Sequence, residues 1–371
     1  MRNLHSFEDY RRASRRYLPK MIFDYIEGGA GREACNARNV DAFEKCVLAP
    51  RRLIDVAKRD TTIGLFGRRW PVPFAIAPMG LAGAVRPGGD LILAGAAHRA
   101  GIPFCLSTAA TSTVEEVRRV SDGEIWFQLY VVERSLADQL ITRAKNAGCE
   151  TLILTVDVPV NGERLRDARS GFGLPFRYTP RILWDAAMHP RWSLRLLTGG
   201  PPQLAHFRSK EAGSADSQAA LMRRQMDASF AWNDLARLRD RWKGKLLVKG
   251  VLRADDARRC ELMGIDGVIV SNHGGRQLDQ SPAALQATKS VAAAVSCPVL
   301  MDSGIRSGSD VLCALAHGAA AALVGRPMLH ALAAHGADGV SELIALFRRQ
   351  LDTAMALAGC ADLSDVDQLM I

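Results

Sequence analysis

The sequence lacks several features that would assign it to other classes of protein. Aromatic residues make up only 6% of the 371 residues. No uninterrupted apolar run approaches the ~20 residues that a membrane-spanning helix needs. The first residues, MRNLHSFEDYRR, contain no apolar segment of a secretory signal. We therefore expect a cytoplasmic protein that at most rests on the inner surface of the cell membrane.

The cysteines lack the patterns of a metal site or of a disulfide framework. They form no CxxC pair, and most lie beside apolar residues; the eight are Cys35, Cys46, Cys105, Cys149, Cys260, Cys297, Cys313 and Cys360. Buried, reduced thiols are the expectation, with no zinc or other metal bound.

The positive charge of the chain is not concentrated in one block. The formal net charge is +9 and the isoelectric point is near 9.3, which is compatible with nucleic acid, an anionic membrane or a small anionic substrate. The basic residues fall near the start, at Arg51 and Arg52, and between residues 177 and 210. None of these stretches interleaves aromatics with a Lys/Arg run, so we expect no nucleic-acid partner.

Short apolar runs rich in β-branched residues alternate with helix-like stretches along the chain. Eight such runs occur, at 74–78, 103–108, 125–130, 151–158, 245–250, 267–273, 298–304 and 321–325. Strands that are apolar throughout are typical of a parallel sheet buried on both faces. Eight strands with regular βα alternation predict an α/β fold of the (β/α)8 TIM-barrel type, as a single domain over residues 1–371.

A doubly wound sheet is the competing fold. It requires a glycine-rich dinucleotide turn after its first strand, and residues 77–80, APMG, do not form one. Two segments lie outside the eight βα units. Residues 1–70 are expected to supply helices over one end of the barrel, and residues 159–244 form a long excursion after the fourth strand, of the kind that serves as a lid or an interaction surface.

Part of this excursion, residues 177–215, is the candidate for binding a membrane or a protein partner. It contains Trp184 and Trp192 among leucines, and between residues 177 and 210 six basic residues oppose one acid, Asp185; the basic residues are 177, 181, 191, 195, 208 and 210. Basic residues mixed with Trp and Leu favour an anionic lipid surface. A lid or an oligomer contact would use the same composition.

Polar or conformationally special residues end nearly every predicted strand. In chain order they are Pro78/Met79, Ser107/Thr108, Gln128/Tyr130, Thr155/Asp157, Lys249, Ser271/His273, Asp302/Gly304 and Gly325/Arg326. Active sites of such barrels lie at the carboxyl ends of the strands. The pattern therefore predicts a catalytic cup at this end of the barrel.

The last two strand ends carry the residues of an anion site. Asp302, Gly304 and Arg306 follow the seventh strand, and Gly325 and Arg326 follow the eighth. Barrels of this type bind phosphate there, through backbone N–H groups and a helix N-terminus. Glycine-rich turns with solvated arginines are the alternative.

The segment SNHGGRQLD, residues 271–279, carries the candidate catalytic histidine. His273 is followed by two glycines that allow close approach to the backbone, and by Arg276, whose forked guanidinium can bind a carboxylate. These residues suit proton abstraction from a bound hydroxy acid. Asp157 can orient His273 as in a catalytic triad; capping the helix after the fourth strand is the alternative role for Asp157.

Several motifs together resemble one family. SNHGGRQLD, LPKMIFDYIEGGA, WFQLYV, TLILTVDVPVNGERLRD, LLVKG, DSGIR and VGRP are similar, in order and spacing, to the FMN-dependent 2-hydroxy acid dehydrogenase/oxidase family. The resemblance runs from about residue 6 to the end of the chain. The segments SFEDYR, HPRWSL and RRQMDASFAW are most similar to family members that oxidise mandelate.

The resemblance implies roles for individual residues. The catalytic positions it assigns are a base (His273), its partner (Asp157), two active-site arginines that bind the substrate carboxylate (Arg276 and Arg164), two substrate-binding tyrosines (Tyr25 and Tyr130) and a lysine beside the flavin (Lys249). The flavin contacts it assigns are Ala77, Pro78, Met79, Ser107, Gln128, Thr155 and Ser271. The ribityl and phosphate contacts are Asp302, Gly304, Arg306, Gly325 and Arg326. Without the resemblance, both tyrosines would be assigned to ordinary half-buried packing.

The function implied by the resemblance is FMN-dependent oxidation of an (S)-2-hydroxy acid, mandelate-like or lactate-like, to the 2-oxo acid. It also implies a quinone-type electron acceptor and a homotetramer. Gly80 favours an acceptor other than oxygen, because it is similar to the family's dehydrogenases. A soluble oxidase that makes hydrogen peroxide is the alternative within the family, and a non-catalytic anion-binding barrel is the alternative outside it.

Overall fold

Eight parallel strands close into a barrel in the computed structural model, which describes residues 4–173, 179–207 and 226–370. The barrel strands are β3 (Phe74–Met79), β4 (Phe104–Ser107), β5 (Ile125–Leu129), β6 (Thr151–Thr155), β7 (Lys245–Val251), β8 (Gly267–Val270), β9 (Val299–Met301) and β10 (Ala321–Val324). They follow one another around the barrel in chain order, and β10 closes it against β3. Each predicted strand is present, so the predicted TIM barrel is confirmed.

A short antiparallel hairpin precedes the barrel and plugs its amino-terminal end. Its strands are β1 (Ile63–Leu65) and β2 (Arg68–Trp70). The Trp70 ring lies 5.5 Å from that of Trp126 inside the barrel. Both indole N–H groups donate to the Glu124 carboxylate, at 3.1 and 2.7 Å. The bottom of the barrel is therefore filled with side chains, and only the carboxyl end remains for a site.

Helices surround the barrel and cover its carboxyl end. Three precede it: α1 (Phe7–Tyr17), α2 (Lys20–Glu27) and α3 (Ala34–Glu44). Those in and after the barrel are α4 (Ala82–Val85), α5 (Gly89–Ala100), α6 (Val114–Val120), α7 (Arg134–Asn146), α8 (Leu165–Ser170), α9 (Pro180–Ala187), α10 (Pro190–Gly199), α11 (Trp232–Arg241), α12 (Ala254–Leu262), α13 (Ala284–Ala292), α14 (Gly308–Ala316), α15 (Arg326–His335) and α16 (Ala337–Ala358). The single-turn 3₁₀ helices are Ala205–Phe207 and His273–Gly275, and a longer one is Leu363–Leu369.

The helical expectation for residues 1–70 is confirmed by α1 to α3, but the hairpin was not predicted. Its strands have three residues each, which is too short for a periodic pattern to be recognised. The long excursion after β6 contains α8, α9 and α10 before α11 returns the chain to the barrel. Of the segment 177–215, residues 177–178 and 208–215, including Arg177, Arg208 and Lys210, lie outside the described residues.

The register of the strands brings their carboxyl ends to one level. Thr155 pairs with Lys249, and Ser107 pairs with Gln128. The ladder is irregular between Ile76 and Met79 of β3 and again near the end of β7. Irregularities of this kind re-aim side chains at the rims of barrels. They occur here at the end where the candidate site residues lie.

Candidate active site

A cavity of about 340 Å³ opens at the carboxyl end of the barrel. Each barrel strand or the loop after it contributes to its wall, and the volume lies in the range of small-molecule sites. Most of the predicted cofactor contacts line it, namely Ala77, Pro78, Met79, Ser107, Lys249, Asp302, Gly304, Arg306, Gly325 and Arg326. The predicted catalytic residues Tyr25, Tyr130, Arg164, His273 and Arg276 line it as well.

His273 stands in a strained turn at the end of β8. Its φ is 59°, and the next two residues, both glycines, also have positive φ. A histidine rarely adopts this left-handed conformation, and such strain is typical of functional sites. The backbone N–H of His273 donates to Ser271 Oγ at 3.0 Å, and Asn272 caps the turn. The two glycines let the backbone turn so that the imidazole faces the cavity.

The two ring nitrogens of His273 have different partners. Nδ1 lies 3.0 Å from Asp157 Oδ1, and Nε2 lies 3.1 Å from the Tyr130 hydroxyl. An ionised carboxylate only accepts hydrogen bonds, so Nδ1–H donates to Asp157 and the lone pair of Nε2 faces Tyr130. This arrangement leaves Nε2 as the basic atom on the cavity side.

Asp157 is half-buried and stays ionised. Burial alone would raise its pKa, but the charges of His273 and Lys249 and the hydrogen bond from His273 lower it overall. Among the described helices, the first after β6 begins only at Leu165, with Arg164 rather than an acid at its N-cap. The capping role considered for Asp157 is therefore wrong, and its carboxylate serves His273 instead.

Lys249 is a buried cation, 3% exposed, at the end of β7. Its ammonium donates to Ser271 Oγ at 2.7 Å and lies 3.0 Å from Asp302 Oδ2. Burial would lower the pKa of the lysine, but Asp302 and Asp157 raise it overall. The cavity floor therefore carries a permanent positive charge between two carboxylates.

A chain of polar side chains crosses the neighbouring strands. Ser107 Oγ donates to Gln128 Oε1 at 2.8 Å, and Gln128 Nε2 donates to Thr155 Oγ1 at 3.0 Å. Gln128, Thr155 and Ser271 stand behind the wall rather than in it, joined to the cavity through Ser107 and Lys249. Gln128 and Ser271 are thus one hydrogen bond from the cavity surface, and Thr155 is two hydrogen bonds from it.

Two arginines form the anion end of the cavity. The Arg326 guanidinium donates to the carbonyls of Ile26, Gly274 and Gly28, each at 2.8 Å. Burial, together with the charge of Arg306, lowers the pKa of Arg326 to about 9. Burial lowers the pKa of Arg306 as well. The lowered pKa values indicate that these half-buried cations lack sufficient negative charge nearby.

A phosphate group fits this end of the cavity on two grounds. It would supply the missing negative charge, and Gly325 places the N-terminus of the ten-residue helix α15 at the cavity wall. Gly304 has φ 97°, and a Cβ there would lie 2.5 Å from Asn39 O. Close backbone packing is therefore required at this loop. These features agree with the phosphate site predicted after the last two strands.

Arg276 lies beside an aromatic wall of the cavity and next to Arg326, with which it shares the Gly28 carbonyl. Its Nη1 donates to Tyr25 O at 2.7 Å and to Gly28 O at 2.9 Å, the terminal carbonyls of α2. The guanidinium lies 4.9 Å from the Tyr25 ring centroid, and that ring stacks on Phe172 at 4.3 Å. The Tyr25 hydroxyl donates to Gly80 O at 3.1 Å. Arg276 is therefore held in one orientation before any ligand arrives.

Several cavity residues were not identified in the sequence. Asp167 and Phe172 line the cavity from the excursion after β6, as do Asn161 and Gly162, and Ser303 lines it from the loop after β9. The path of the excursion follows no periodic pattern. The only available signal was the spacing of Arg164 and Asp167, which places opposite charges on one side of a helix.

These features define a class of protein: a barrel enzyme with a His–Asp pair, a permanent cation and an anion site at the carboxyl ends of its strands. Comparison with known proteins makes this class specific. Residues 14–371 match the model of the FMN-dependent dehydrogenase family.

The chain is similar over nearly its whole length to characterised relatives. It is 48% identical to (S)-mandelate dehydrogenase of Pseudomonas putida, over 98% of this chain and 93% of that one. It is 42% identical to L-lactate dehydrogenase of Caulobacter vibrioides, over 99% and 97% of the two chains.

Two solved structures superpose closely on this chain. The structure of a monotopic membrane protein, (S)-mandelate dehydrogenase, superposes with a TM-score of 0.95 at 48% identity, covering 98% of both chains. A mandelate oxidase mutant with (S)-mandelic acid superposes with a TM-score of 0.85 at 38% identity, covering 99% of this chain and 98% of that one. The chain belongs to the FMN-dependent dehydrogenase family, and its cofactor is FMN.

Proposed function

We propose that the protein oxidises an (S)-2-hydroxy acid to the corresponding 2-oxo acid, with mandelate-like acids preferred over lactate. The observation that carries the proposal is the His273–Asp157 pair facing the same cavity as Arg276 and Arg164. Oxidation of R–CH(OH)–COO⁻ to R–CO–COO⁻ releases two protons and two electrons. A base and a carboxylate site in one cavity meet the requirements of this substrate.

Arg276 and Arg164 bind the substrate carboxylate in this proposal. The Nη2 atom of Arg276 is buried and has no hydrogen-bond partner among the described residues. An Arg guanidinium pairs with a carboxylate through two parallel hydrogen bonds. The carbonyls at the end of α2 already fix Nη1. The substrate would therefore meet a donor whose orientation costs little entropy on binding.

His273 takes a proton from the substrate through Nε2. Asp157 keeps Nδ1 protonated and stabilises the imidazolium that forms, as the aspartate of a catalytic triad does. Tyr130, 3.1 Å from Nε2, is placed to share a hydrogen bond with the substrate hydroxyl oxygen. The geometry is equally compatible with removal of the hydroxyl proton and of the Cα proton.

FMN supplies the two-electron acceptor when it is bound. Arg306, Arg326 and the N-terminus of α15 would hold its phosphate, and Lys249 would stabilise negative charge that develops on the ring. Ser107 and Met79 would contact the flavin, and the polar chain behind the wall would hold Ser107 in place. The observation that supports this assignment is the set of cations at the cavity, namely the half-buried Arg306 and Arg326 and the buried Lys249.

The aromatic wall supports a substrate with a large side chain. Tyr25 and Phe172 form a stacked pair at the cavity, and Leu204 and Met226 line it too. A phenyl ring gains more from burial against such a wall than a methyl group does. Steady-state rates should therefore favour (S)-mandelate over L-lactate. A higher kcat/KM for L-lactate would contradict the preference and leave the reaction type intact.

A quinone-type compound is the proposed electron acceptor. Gly80 lies at the cavity wall, where a Cβ would come within 3.1 Å of Ala109 Cβ and 3.5 Å of the Tyr25 hydroxyl. Glycine is therefore the residue that leaves this part of the wall open. The alternative, direct oxidation by oxygen, is supported by the similarity to mandelate oxidase. Reduced enzyme should be reoxidised faster by a soluble quinone than by air-saturated buffer; rapid stoichiometric peroxide formation would favour the oxidase.

We further propose that helices α9 and α10 bind an anionic membrane surface. Their exposed apolar residues are Leu183, Trp184, Leu194 and Leu197, with Met188 between the helices, and the exposed basic residues are Arg181, Arg191 and Arg195. Trp192 is instead buried, and its indole N–H donates to Ala84 O at 2.9 Å. Trp192 thus packs α10 against the barrel. Trp184 is exposed and would contact the lipid.

This arrangement suits attachment in the plane of a membrane, by apolar insertion and charge attraction. Among the described residues, no helix is long and apolar enough to cross a bilayer. The double variant Leu194→Glu/Leu197→Glu should lose sedimentation with phosphatidylglycerol vesicles. Leu262→Glu, at a residue 88% exposed on α12, is the matched control and should sediment as the wild type does. Equal sedimentation of all three proteins would contradict the membrane proposal.

The homotetramer predicted from the family stays a prediction, and light scattering of the purified holoenzyme measures it. The reaction itself is tested with His273→Ala. This variant should retain FMN, because the phosphate end is untouched, and should lose reduction of the bound flavin by (S)-mandelate. Full and rapid reduction in the variant would remove His273 from the proposed chemistry.

A further inference from the structure

Asp167 lies between the two arginines that are proposed to bind the substrate. It is in α8, three residues after Arg164, which is the N-cap residue of that helix. Asp167 Oδ2 is 3.9 Å from Arg164 Nη1 and 3.9 Å from Arg276 Nη2. The carboxyl group is buried and lines the cavity. It therefore interacts with both cations at the point where a substrate carboxylate would arrive.

The contacts of Asp167 leave hydrogen-bonding capacity unused. A separation of 3.9 Å is too long for a hydrogen bond, although the charges still interact. Among the described residues, Asp167 Oδ1, Arg276 Nη2 and Arg164 Nε are buried without a hydrogen-bond partner. Buried polar atoms are normally paired, and each exception calls for an explanation. A ligand carboxylate that engages the arginines would explain the unpaired donors.

Charged groups of both signs surround Asp167. The charged groups that face it are Arg164 ahead of α8, Arg166 on α8, Arg276 after β8, Asp24 on α2 and Glu33 before α3. Burial raises the pKa of Asp167 to about 6, and the charge of Arg276 opposes this rise only in part. Arg166 is engaged elsewhere, because it pairs with Glu33. Asp167 can therefore change its charge near neutral pH.

We propose that Asp167 is a positioning residue that couples binding of the substrate carboxylate to uptake of a proton. Ionised Asp167 separates and partly neutralises the two arginines in the free enzyme. An incoming substrate carboxylate binds to the same two arginines. Its negative charge and that of ionised Asp167 then repel each other. Protonation of Asp167 removes the repulsion and leaves the full positive charge of both arginines for the substrate.

The sign of the pH dependence follows from this coupling. The bound carboxylate raises the pKa of Asp167 further, so the complex holds a proton that the free enzyme has released above about pH 6. Affinity for a carboxylate ligand is therefore constant well below pH 6 and falls as the pH rises. We expect the dissociation constant to increase on the order of tenfold between pH 6 and pH 8.

Asp167→Asn separates this role from a structural one. Asparagine keeps the size of the side chain and is permanently neutral, so it mimics the protonated acid. The variant should bind phenylacetate more tightly than wild type at pH 8, with nearly the same dissociation constant at pH 6 and pH 8. A residue that only supports α8 would weaken binding at every pH when replaced.

The test uses isothermal titration calorimetry of the FMN holoenzyme with phenylacetate, which has the carboxylate but no hydroxyl group to oxidise. Titration at pH 7 in buffers of different ionisation enthalpy measures the protons taken up per ligand. We expect roughly half a proton or more in wild type, and none in Asp167→Asn. Asp90→Asn is the matched control. Asp90 is also a buried acid whose pKa is raised to about 6. It lies outside the cavity wall, where it accepts hydrogen bonds from the backbone N–H groups of Thr111 and Ser112.

The outcomes separate this inference from the proposed function on which it rests. Binding of phenylacetate without proton uptake in wild type would overturn the role of Asp167 and leave the proposed function standing. Uptake that persists in Asp167→Asn would overturn it as well. No binding of phenylacetate, phenylpyruvate or lactate to the wild-type holoenzyme would contradict the proposed carboxylate site itself.

Discussion

Replacing Asp157 with asparagine is the most informative single change to the proposed catalytic machinery. The variant keeps the shape of the side chain and removes only the charge that faces His273. Two unit charges about 4 Å apart interact by about 4 kcal/mol at an effective dielectric constant near 20. Loss of this stabilisation from the imidazolium corresponds to roughly a thousandfold slower reaction. Asparagine can also present its amide N–H to Nδ1, which would favour the wrong tautomer.

The assay is anaerobic stopped-flow reduction of the bound FMN by (S)-mandelate. The rate of flavin reduction at saturating substrate should fall roughly a thousandfold in Asp157→Asn. The substrate concentration that gives half of the maximal rate should change little, because among the described residues Asp157 has no contact with the arginines of the carboxylate site. Asp266→Asn is the matched control. Asp266 also pairs with cations, Arg239 and Lys245, but at the opposite end of the barrel. A rate in Asp157→Asn within about threefold of wild type would refute the proposed support of the base.

Three further changes test other parts of the site. Arg306→Met should weaken FMN binding roughly 10- to 100-fold by loss of a charged contact, measured by the fluorescence of released flavin; unchanged affinity would place the phosphate elsewhere. Lys249→Met leaves the buried Asp302 without its cation and should destabilise the protein by about 3–5 kcal/mol, measured by urea unfolding; equal stability would contradict the buried ion pair. Burial would raise the pKa of Glu27, but His330 lowers it to about 2. The stability contributed by Glu27 is thus present above about pH 4.5 and is lost as pH falls towards 2. Wild type should lose roughly 2 kcal/mol more than Glu27→Gln across this window; parallel acid unfolding curves would contradict the coupling.

The barrel was predictable because its strands are buried on both faces. An apolar run such as 151–155 forms a strand wherever it is packed from two sides, and the polar residue that follows it must then lie at the rim. This logic placed His273, Lys249 and Asp302 at one end of the barrel without knowledge of any contact. The same reasoning predicts the anion site, because the position of Arg326 after the last strand follows from the number of strands.

Residues on irregular segments could not be placed in the same way. The position of Asp167 depends on where the excursion after β6 returns to the cavity, and tertiary contacts decide that path. Trp192 illustrates the limit, because the composition around it suggested a lipid contact whereas its indole N–H bonds Ala84 O inside the fold. The alternative role of Asp157 as a helix cap had the same origin. Propensity favoured it, and the hydrogen bond to His273 overrode it.

The central claim is that the holoenzyme oxidises an (S)-2-hydroxy acid with its bound FMN. Anaerobic titration with (S)-mandelate, (R)-mandelate and L-lactate, followed by flavin absorbance and by analysis of the 2-oxo acid, tests it most directly. We predict complete reduction by one equivalent of (S)-mandelate with one equivalent of benzoylformate formed, and no comparable reduction by the (R) enantiomer. A flavin that stays oxidised with (S)-mandelate and with L-lactate would contradict the claim.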